Sequence, residues 1–248
     1  MIFVTGDCHG NFERFKPKYF PEQAQMTKRD IVICAGDFGG VWFGDSRDDA
    51  ALDWLESMPF TLAFVCGNHE NYDALERYPV DDWRGGKVHR IRPHVLHLMR
   101  GQIFELEGYH FFIMGGAKSH DTKDGILELD APDFERKLLM LQRKPRARYR
   151  INHISWWAQE MPPEEEYAEA RRNLTKVDWA VDYVITHCAP TSIALMENRH
   201  NEADTLTDFL QEVKERARYH YWLFGHYHDN RAIDEKHILL WEQIVQVI

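Results

Sequence analysis

The chain has 248 residues, of which 44% are hydrophobic and 28% are charged, the balance of an ordinary globular protein of about one domain. Its formal net charge is -10 at pH 7, so the surface as a whole repels nucleic-acid phosphates, which argues against a nucleic-acid packaging role. Apolar runs such as 61–66 are far shorter than the roughly 20 residues of a membrane span. We therefore expect neither nucleic acid nor membrane as a partner.

Cysteine usage and the amino-terminal sequence predict a cytoplasmic location. No charged and apolar signal segment precedes the first motif, which begins at Gly6. None of the cysteines belongs to a CxxC pair, which disfavours a cysteine-rich zinc site. We interpret them as small buried hydrophobic residues rather than catalytic thiols. They are Cys8, Cys34, Cys66 and Cys188.

The first third of the chain alternates short apolar runs with an amphipathic stretch. The runs 2–4, 31–33 and 62–65 are each followed by Gly-Asp or Gly-Asn. Near-continuous apolar runs are typical of strands buried on both faces of a sheet. Residues 46–58 have helical spacing, with Ser46 available as the cap. This β-α-β order predicts an α/β protein with its chemistry at the carboxyl ends of the strands.

The rest of the chain predicts a more antiparallel sheet and further helices. We expect strands at 95–98, 103–106 and 109–114, with a hairpin turn at Glu107-Gly108. Helices are predicted at 131–144, 164–174 and 203–218, and strands at 183–185, 221–224 and 238–248. The basic stretch 143–150 is interpreted as a solvated helix end and loop. Without repeats or linkers, residues 1–248 are predicted to form a single domain.

Five short motifs each follow an apolar run, where the ends of several strands can converge on one point. They are Gly6-Asp7-Cys8-His9-Gly10, Gly36-Asp37, Gly67-Asn68-His69-Glu70, Thr186-His187 and Gly225-His226-Tyr227-His228. Imidazole nitrogens and carboxylate or amide oxygens suit manganese, iron and zinc. A carboxylate such as Asp37 can bridge two cations, which lower the pKa of a shared water and bind a phosphate. Together the motifs predict a two-metal site.

The motif set resembles the calcineurin-like metallophosphoesterase superfamily, with further similarity to its small bacterial and phage-type members. The resemblance spans residues 6–228 and implies a four-layer αββα sandwich, in which two mixed β-sheets lie face to face between helices. It also implies two metal sites that share one carboxylate. One site would be formed by Asp7, His9, Asp37 and His228, and the other by Asp37, Asn68, His187 and His226.

The resemblance further implies an activity. A water or hydroxide bridging the two divalent metals would attack a phosphomonoester or phosphodiester, with manganese favoured over iron or zinc. Asn68 and His69 would contact the substrate phosphate, and His69 would act as the general acid on the leaving group. Glu70 matches the neighbouring acidic position that orients or polarises this histidine. The expected partner is therefore a small phosphate-ester substrate.

The sequence departs from the protein-phosphatase branch of the superfamily. The stretch 36–42 lacks the arginine that grips phosphate in that branch, which disfavours a serine/threonine protein phosphatase. Trp42 ends this stretch and Phe43 follows it. The two residues could form a wall of the pocket or pack within the loop. Other residues could approach the site but favour core or surface roles. These are Lys118, Trp156, Trp157, Arg199 and His200.

Two alternatives stay open at this point. The chain could be a non-catalytic interaction module that retains the metals, or a nuclease acting on DNA ends. A degenerate scaffold would be free to lose ligands, whereas all seven are present here. The negative net charge disfavours the nuclease.

Overall fold

The computed structural model describes residues 1–197 and 203–248. In chain order, its strands are β1 (Ile2–Thr5), β2 (Ile31–Cys34), β3 (Thr61–Phe64), β4 (Val80–Trp83), β5 (Gly86–Arg92), β6 (Val95–Leu98), β7 (Ile103–Leu106), β8 (Tyr109–Met114), β9 (Gly125–Leu127), β10 (Tyr149–Ile151), β11 (Tyr183–Thr186), β12 (Tyr221–Phe224), β13 (Arg231–Ala232), β14 (His237–Leu239) and β15 (Val245–Gln246). Its helices are α1 (Ser46–Glu56), α2 (Tyr72–Leu75), α3 (Phe134–Arg143), α4 (Glu164–Lys176), α5 (Thr191–Glu197) and α6 (Thr205–Arg216). None of these helices is long and apolar enough to cross a membrane.

The strands form two large mixed sheets. The first has the order β15-β1-β2-β3-β6-β5-β4, and the second has the order β13-β14-β12-β11-β8-β7. The central strands of each sheet are parallel, whereas the outer pairs are antiparallel. The remaining strands, β9 and β10, form a separate parallel pair. Because parallel strands end at the same edge, the motifs that follow them are brought together.

Three apolar clusters define four layers. The inner faces of the two sheets share one cluster, in which Val4 and Ile33 join Ile185 and Leu223. On its outer face, the first sheet packs against α1 through Leu52. The outer face of the second sheet packs against α4 and α6. Side chains buried on both faces explain the near-continuous apolar runs of the strands, and the arrangement confirms the predicted α/β sandwich.

Local predictions agree with the structure to within a few residues at most helix ends. Helix α1 covers the predicted stretch but begins after Asp45, whose side chain accepts a hydrogen bond from the Arg47 amide. Asp45 is therefore the cap, and Ser46 is the first helical residue. The turn at Glu107-Gly108 is confirmed, with φ values of 52° and 82° between antiparallel β7 and β8. Such left-handed pairs match the twist of a tight hairpin.

Two predictions about the sheets are corrected. The segment 95–98 was expected with the strands that follow it, yet β6 pairs parallel with β3 in the first sheet. On its other edge β6 pairs with β5, which forms a hairpin with β4 that the sequence pattern did not predict. The closing strand 238–248 is split, because 240–244 passes from β14 in the second sheet to β15 in the first. The end of the basic stretch also forms β10 rather than a loop.

Candidate metal centre

The predicted ligands lie in loops directly after parallel strands of both sheets. Asp7 follows β1, Asp37 follows β2 and Asn68 follows β3. From the second sheet, His187 follows β11 and the His-x-His motif follows β12. The two facing sheets therefore deliver their loops to one common edge.

Several ligands occupy left-handed backbone, where non-glycine residues are uncommon. The φ values are 48° at His9, 46° at Asp37, 71° at His226 and 51° at His228. Each such residue costs roughly 1–2 kcal/mol. Backbone hydrogen bonds between loops hold the conformation, including the His9 amide to the Asp37 carbonyl at 2.7 Å. The sharp turns aim side chains that an extended strand would point elsewhere.

Glycines in the motifs leave room for the ligands themselves. A Cβ atom added to Gly36 would overlap the ring of His187, and one added to Gly67 would overlap the carboxylate of Asp37. Both positions are therefore occupied by a neighbouring ligand. Any side chain at either glycine would displace part of the site.

Four side chains form the first ligand group. The ligand atoms of Asp7, His9, Asp37 and His228 all lie within 4.8 Å of one another. The Nε2 atoms of His9 and His228 are 3.0 Å apart, and Asp37 Oδ2 lies 3.7 Å from Nε2 of His9. The two carboxylates are buried, whereas the two imidazoles are exposed. The group is therefore open to solvent on its histidine side.

The second group lies on the other oxygen of Asp37. Nε2 of His187 is 3.3 Å from Asp37 Oδ1 and 3.2 Å from the side-chain oxygen of Asn68. The ring of His226 lies 5.0 Å from that of His187. Asp37 thus presents one oxygen to each group and could contact a cation in both.

The donor set fits a pair of first-row divalent cations. The carbonyl oxygen of Ala35 lies 2.9 Å from Nδ1 of His187, which places the proton there and leaves the Nε2 lone pair free for a cation. Two carboxylates, one amide oxygen and four imidazoles are ligands that manganese, iron and zinc accept. These residues could therefore hold both ions.

The pKa values of the ligand side chains describe the site without a cation. Burial opposes ionisation of Asp37, but the adjacent His187 outweighs it and holds the pKa of the carboxyl far below its usual range. Burial also opposes the charge of His187, yet Asp37 raises the pKa of His187 to about 9. Burial lowers the pKa of His226 to about 3, so this imidazole is neutral and able to bind a metal.

His69 lies beside the first group. Its ring centroid is 5.4 Å from that of His9, and its backbone amide donates to Asp37 Oδ1 at 2.8 Å. Burial lowers the pKa of the half-buried imidazole. The structure thus brings His69 to the edge of the predicted metal site, within reach of a substrate held there.

Glu70 is placed differently from the expectation that it orients His69. Its buried carboxylate accepts hydrogen bonds from the backbone amides of Phe38 at 2.7 Å and Gly39 at 3.4 Å. Burial raises the pKa of Glu70 to about 8. Within the described residues its hydrogen bonds therefore support the loop after Asp37 rather than the imidazole beside it.

Sequence reasoning missed a supporting network behind Asn68. Asn68 Nδ2 donates to the Ser119 hydroxyl at 3.3 Å, and this hydroxyl donates to Glu160 at 2.6 Å. Two rings also border the ligands: His120 lies 5.7 Å from His226, and Trp241 stacks on His228 at 5.2 Å. Nothing in the local sequence around Ser119 or Glu160 predicts which residue supports which ligand.

The remaining side candidates separate into core and surface. Trp157 is buried and donates from Nε1 to Asp73 at 2.7 Å, whereas Trp156 is half-buried and hydrogen bonded to Glu160. Their core role is thereby favoured over stacking on substrate. Lys118 is exposed. Arg199 and His200 lie outside the described residues.

Comparison with known proteins agrees with this geometry. The sequence profile of the calcineurin-like phosphoesterases matches residues 1–230. The chain is also similar to lariat debranching enzyme A of Xenopus laevis, with 23% identity over 232 residues. That alignment covers 87% of this chain and 38% of the relative, so the chain spans well under half of the relative's length. With a family profile matching nearly its whole length, the chain belongs to the calcineurin-like phosphoesterase family.

Proposed function

We propose that the protein is a dinuclear metal-dependent phosphoesterase that hydrolyses a phosphomonoester or a phosphodiester. The observation that best supports this proposal is the position of Asp37 between the two ligand groups. Its Oδ2 lies 3.7 Å from His9, and its Oδ1 lies 3.3 Å from His187. A single buried carboxylate between two imidazole-rich groups is the arrangement that two neighbouring divalent cations require.

A pair of bound divalent cations would lower the pKa of water and neutralise the phosphoryl oxygens. Residues of the chain would then bind the substrate phosphate and protonate the leaving group. Asn68 and His69 face the substrate phosphate from the loop after β3. The amide of Asn68 is held by Ser119, which leaves its oxygen directed at His187. In its protonated, imidazolium form, His69 would donate a proton to the departing oxygen as a general acid.

Glu70 has a positioning role in this proposal. Its carboxylate holds the amides of Phe38 and Gly39, immediately after Asp37. Loss of these bonds would free the loop that directs the shared carboxylate. Glu70 therefore acts on the geometry of Asp37, while His69 acts on the substrate.

The test is a metal and substrate panel. Purified protein is stripped with chelator, reloaded with manganese, iron or zinc, and assayed with p-nitrophenyl phosphate and its bis-ester. Manganese is tested first because carboxylate, amide and imidazole ligands suit it. Metal content is measured beside turnover. Two bound ions per chain with hydrolysis support the proposal, whereas bound metal with no turnover on any ester favours the non-catalytic module.

The name of the Xenopus relative describes an enzyme, which supports catalysis rather than a scaffold role for this chain. Four free and buried cysteines fit a reducing compartment, so the cytoplasm stays the proposed location. We also propose that the chain acts as one domain, because both sheets contribute ligands to the same site.

A further inference from the structure

A cavity of about 440 Å³ opens beside the metal centre. Its lining includes His9, His69, Gly39, Gly40, Trp42 and Phe43. Two of these residues, His9 and His69, also belong to the metal centre. A substrate whose phosphate occupies the centre would therefore extend into this cavity.

One side of the cavity is bare backbone. Gly39 has a φ of 68°, and a Cβ added to it would lie 2.6 Å from the backbone nitrogen of Gly10. A Cβ added to Gly40 would overlap the ring of Phe38 beneath it. Side chains at both positions would point into the protein, so loop packing requires glycine there and the cavity lining on this side consists of backbone.

Aromatic side chains form the adjoining wall. Phe43 is 49% exposed, and the guanidinium carbon of Arg47 lies 4.1 Å from its ring centroid. Trp42 packs edge-on against Trp157 at 5.8 Å. Ligand cavities of this size combine aromatic walls with a few polar groups.

The wall is held in place by a buried acidic side chain. The carboxylate of Asp48 accepts hydrogen bonds from the backbone amides of Trp42 at 3.1 Å, Phe43 at 3.0 Å and Gly44 at 2.8 Å. The side chain of Asn71 donates to the Trp42 carbonyl at 2.6 Å. Because these bonds fix the loop, the cavity is formed before any ligand enters.

We propose that this cavity binds a planar aromatic group carried by the phosphate ester, either a nucleobase or an aryl ring. The backbone lining leaves room for a ring and the aromatic side chains favour stacking, while the Arg47 guanidinium, paired with Asp45, lies next to the wall. The assignment rests on the proposed function and narrows its substrate class. Trp42 and Phe43 become specificity-determining residues of the reaction.

Matched esters, all of them phosphates of primary alcohols, test the proposal. Adenosine 5′-monophosphate is compared with ribose 5-phosphate, and benzyl phosphate with cyclohexylmethyl phosphate, all with manganese-loaded protein. The ring-bearing ester of at least one pair is expected to have the higher kcat/KM, by about 5- to 100-fold, the scale of one stacking contact. Preference within the first pair alone identifies a nucleobase, and preference within the second alone identifies an aryl ring.

Variants connect that preference to the wall. Phe43→Ala is expected to reduce the kcat/KM ratio within the preferred pair toward one, whereas the control Tyr19→Ala keeps it. Tyr19 is a comparably exposed aromatic residue, 56% exposed, in a different cavity. Trp42→Phe retains an aromatic ring and is expected to keep most of the preference. Circular dichroism and thermal unfolding establish that each variant is folded.

Binding separates this proposal from the hydrolase assignment. Equilibrium dialysis measures adenosine and benzyl alcohol binding to wild type and Phe43→Ala. If none of these esters, p-nitrophenyl phosphate or its bis-ester is hydrolysed while one of these ligands binds only the wild type, the hydrolase assignment fails and the cavity assignment stands. If both esters of each pair are hydrolysed equally and neither ligand binds, the cavity assignment is overturned and the hydrolase assignment stands.

Discussion

Asn68 and Ser119 are joined by a hydrogen bond of 3.3 Å from the amide nitrogen to the hydroxyl oxygen. Since the amide nitrogen is engaged, the amide oxygen is left to face His187 at 3.2 Å. Ser119 is in turn held by Glu160, which accepts from its hydroxyl and its backbone amide. A ligand of the second group thus depends on a loop from the other sheet.

Removal of that support is expected to weaken metal binding. In Ser119→Ala, Asn68 loses the partner that orients its amide, so the Kd for manganese should rise by roughly 10- to 100-fold. Isothermal titration calorimetry on metal-stripped protein measures the change. Ser192→Ala, which removes an exposed hydroxyl that accepts from Lys214, is the matched control. Equal affinity in Ser119→Ala and wild type would show that the network does not orient the ligand.

Loss of the shared carboxylate is expected to cost more. Asp37→Asn keeps the shape of the side chain but removes the charge that two cations would share, so turnover should fall beyond the roughly 10- to 100-fold cost of losing a supporting partner. Bound metal per chain should also decrease. Asp81→Asn, an exposed carboxylate on β4, is the control. Full activity in Asp37→Ala would remove the bridging role altogether.

His69 is expected to affect turnover more than metal content. In His69→Ala the general acid is absent while the ligand atoms stay in place, so kcat should fall by about 10²- to 10⁴-fold. Metal analysis of the same sample should match wild type. His220→Ala, which removes a largely exposed imidazole, should leave both unchanged. A variant that loses metal and turnover in proportion would place His69 among the supports of the metal.

Stability is expected to decrease in acid because of a buried histidine pair away from the site. Burial, followed by the charges of His89 and Arg100, holds the pKa of His97 well below its ordinary value. The Nδ1 atoms of His97 and His89 are 2.9 Å apart. The unfolded chain binds a proton near pH 6.5, while the folded chain keeps His97 neutral. The contribution of this group to stability is thus full above about pH 6.5 and is lost as pH falls below it.

The measurement is urea unfolding of metal-free protein at pH 7.5, 6.5 and 5.5. Within this range, each such group can contribute up to about 1.4 kcal/mol per pH unit below its unfolded pKa. The free energy of unfolding of His97→Leu should fall less between pH 7.5 and 5.5 than that of wild type, because the other titrating groups are common to both. Parallel pH profiles in the two proteins would exclude His97 as the cause.

The convergence of the proposed metal ligands at one edge was predictable because each follows a run of apolar residues. Buried parallel strands such as β1 and β11 require such runs, and their shared edge collects the loops that follow. The hairpin β4–β5 was not predictable in this way. Its first strand is mostly exposed and includes Asp81 and Asp82, so it lacks an apolar pattern. The place of β6 beside β3 depends on that hairpin and could not be read from residues 95–98 alone.

Contacts between loops were the second feature that the sequence could not predict. Nothing in the spacing of Glu70 distinguishes a carboxylate that orients the adjacent imidazole from one that holds the amides of Phe38 and Gly39. The same holds for Ser119, which lies 51 positions from Asn68 in the chain. Such pairings depend on how loops of the two sheets pack against each other, and local sequence patterns carry no information about that packing.

The facing sheets have a mechanical consequence for the centre. Asp7, Asp37 and Asn68 follow strands of one sheet, while His187 and His226 follow strands of the other, and an apolar cluster fills the space between the inner faces. Ions bound by residues from both sheets would crosslink the sheets at one edge of the sandwich and resist sliding of one sheet over the other. Chelation would then loosen the interior far from the ions as well as empty the centre, and the first sign of metal loss would be faster amide exchange in the central strands.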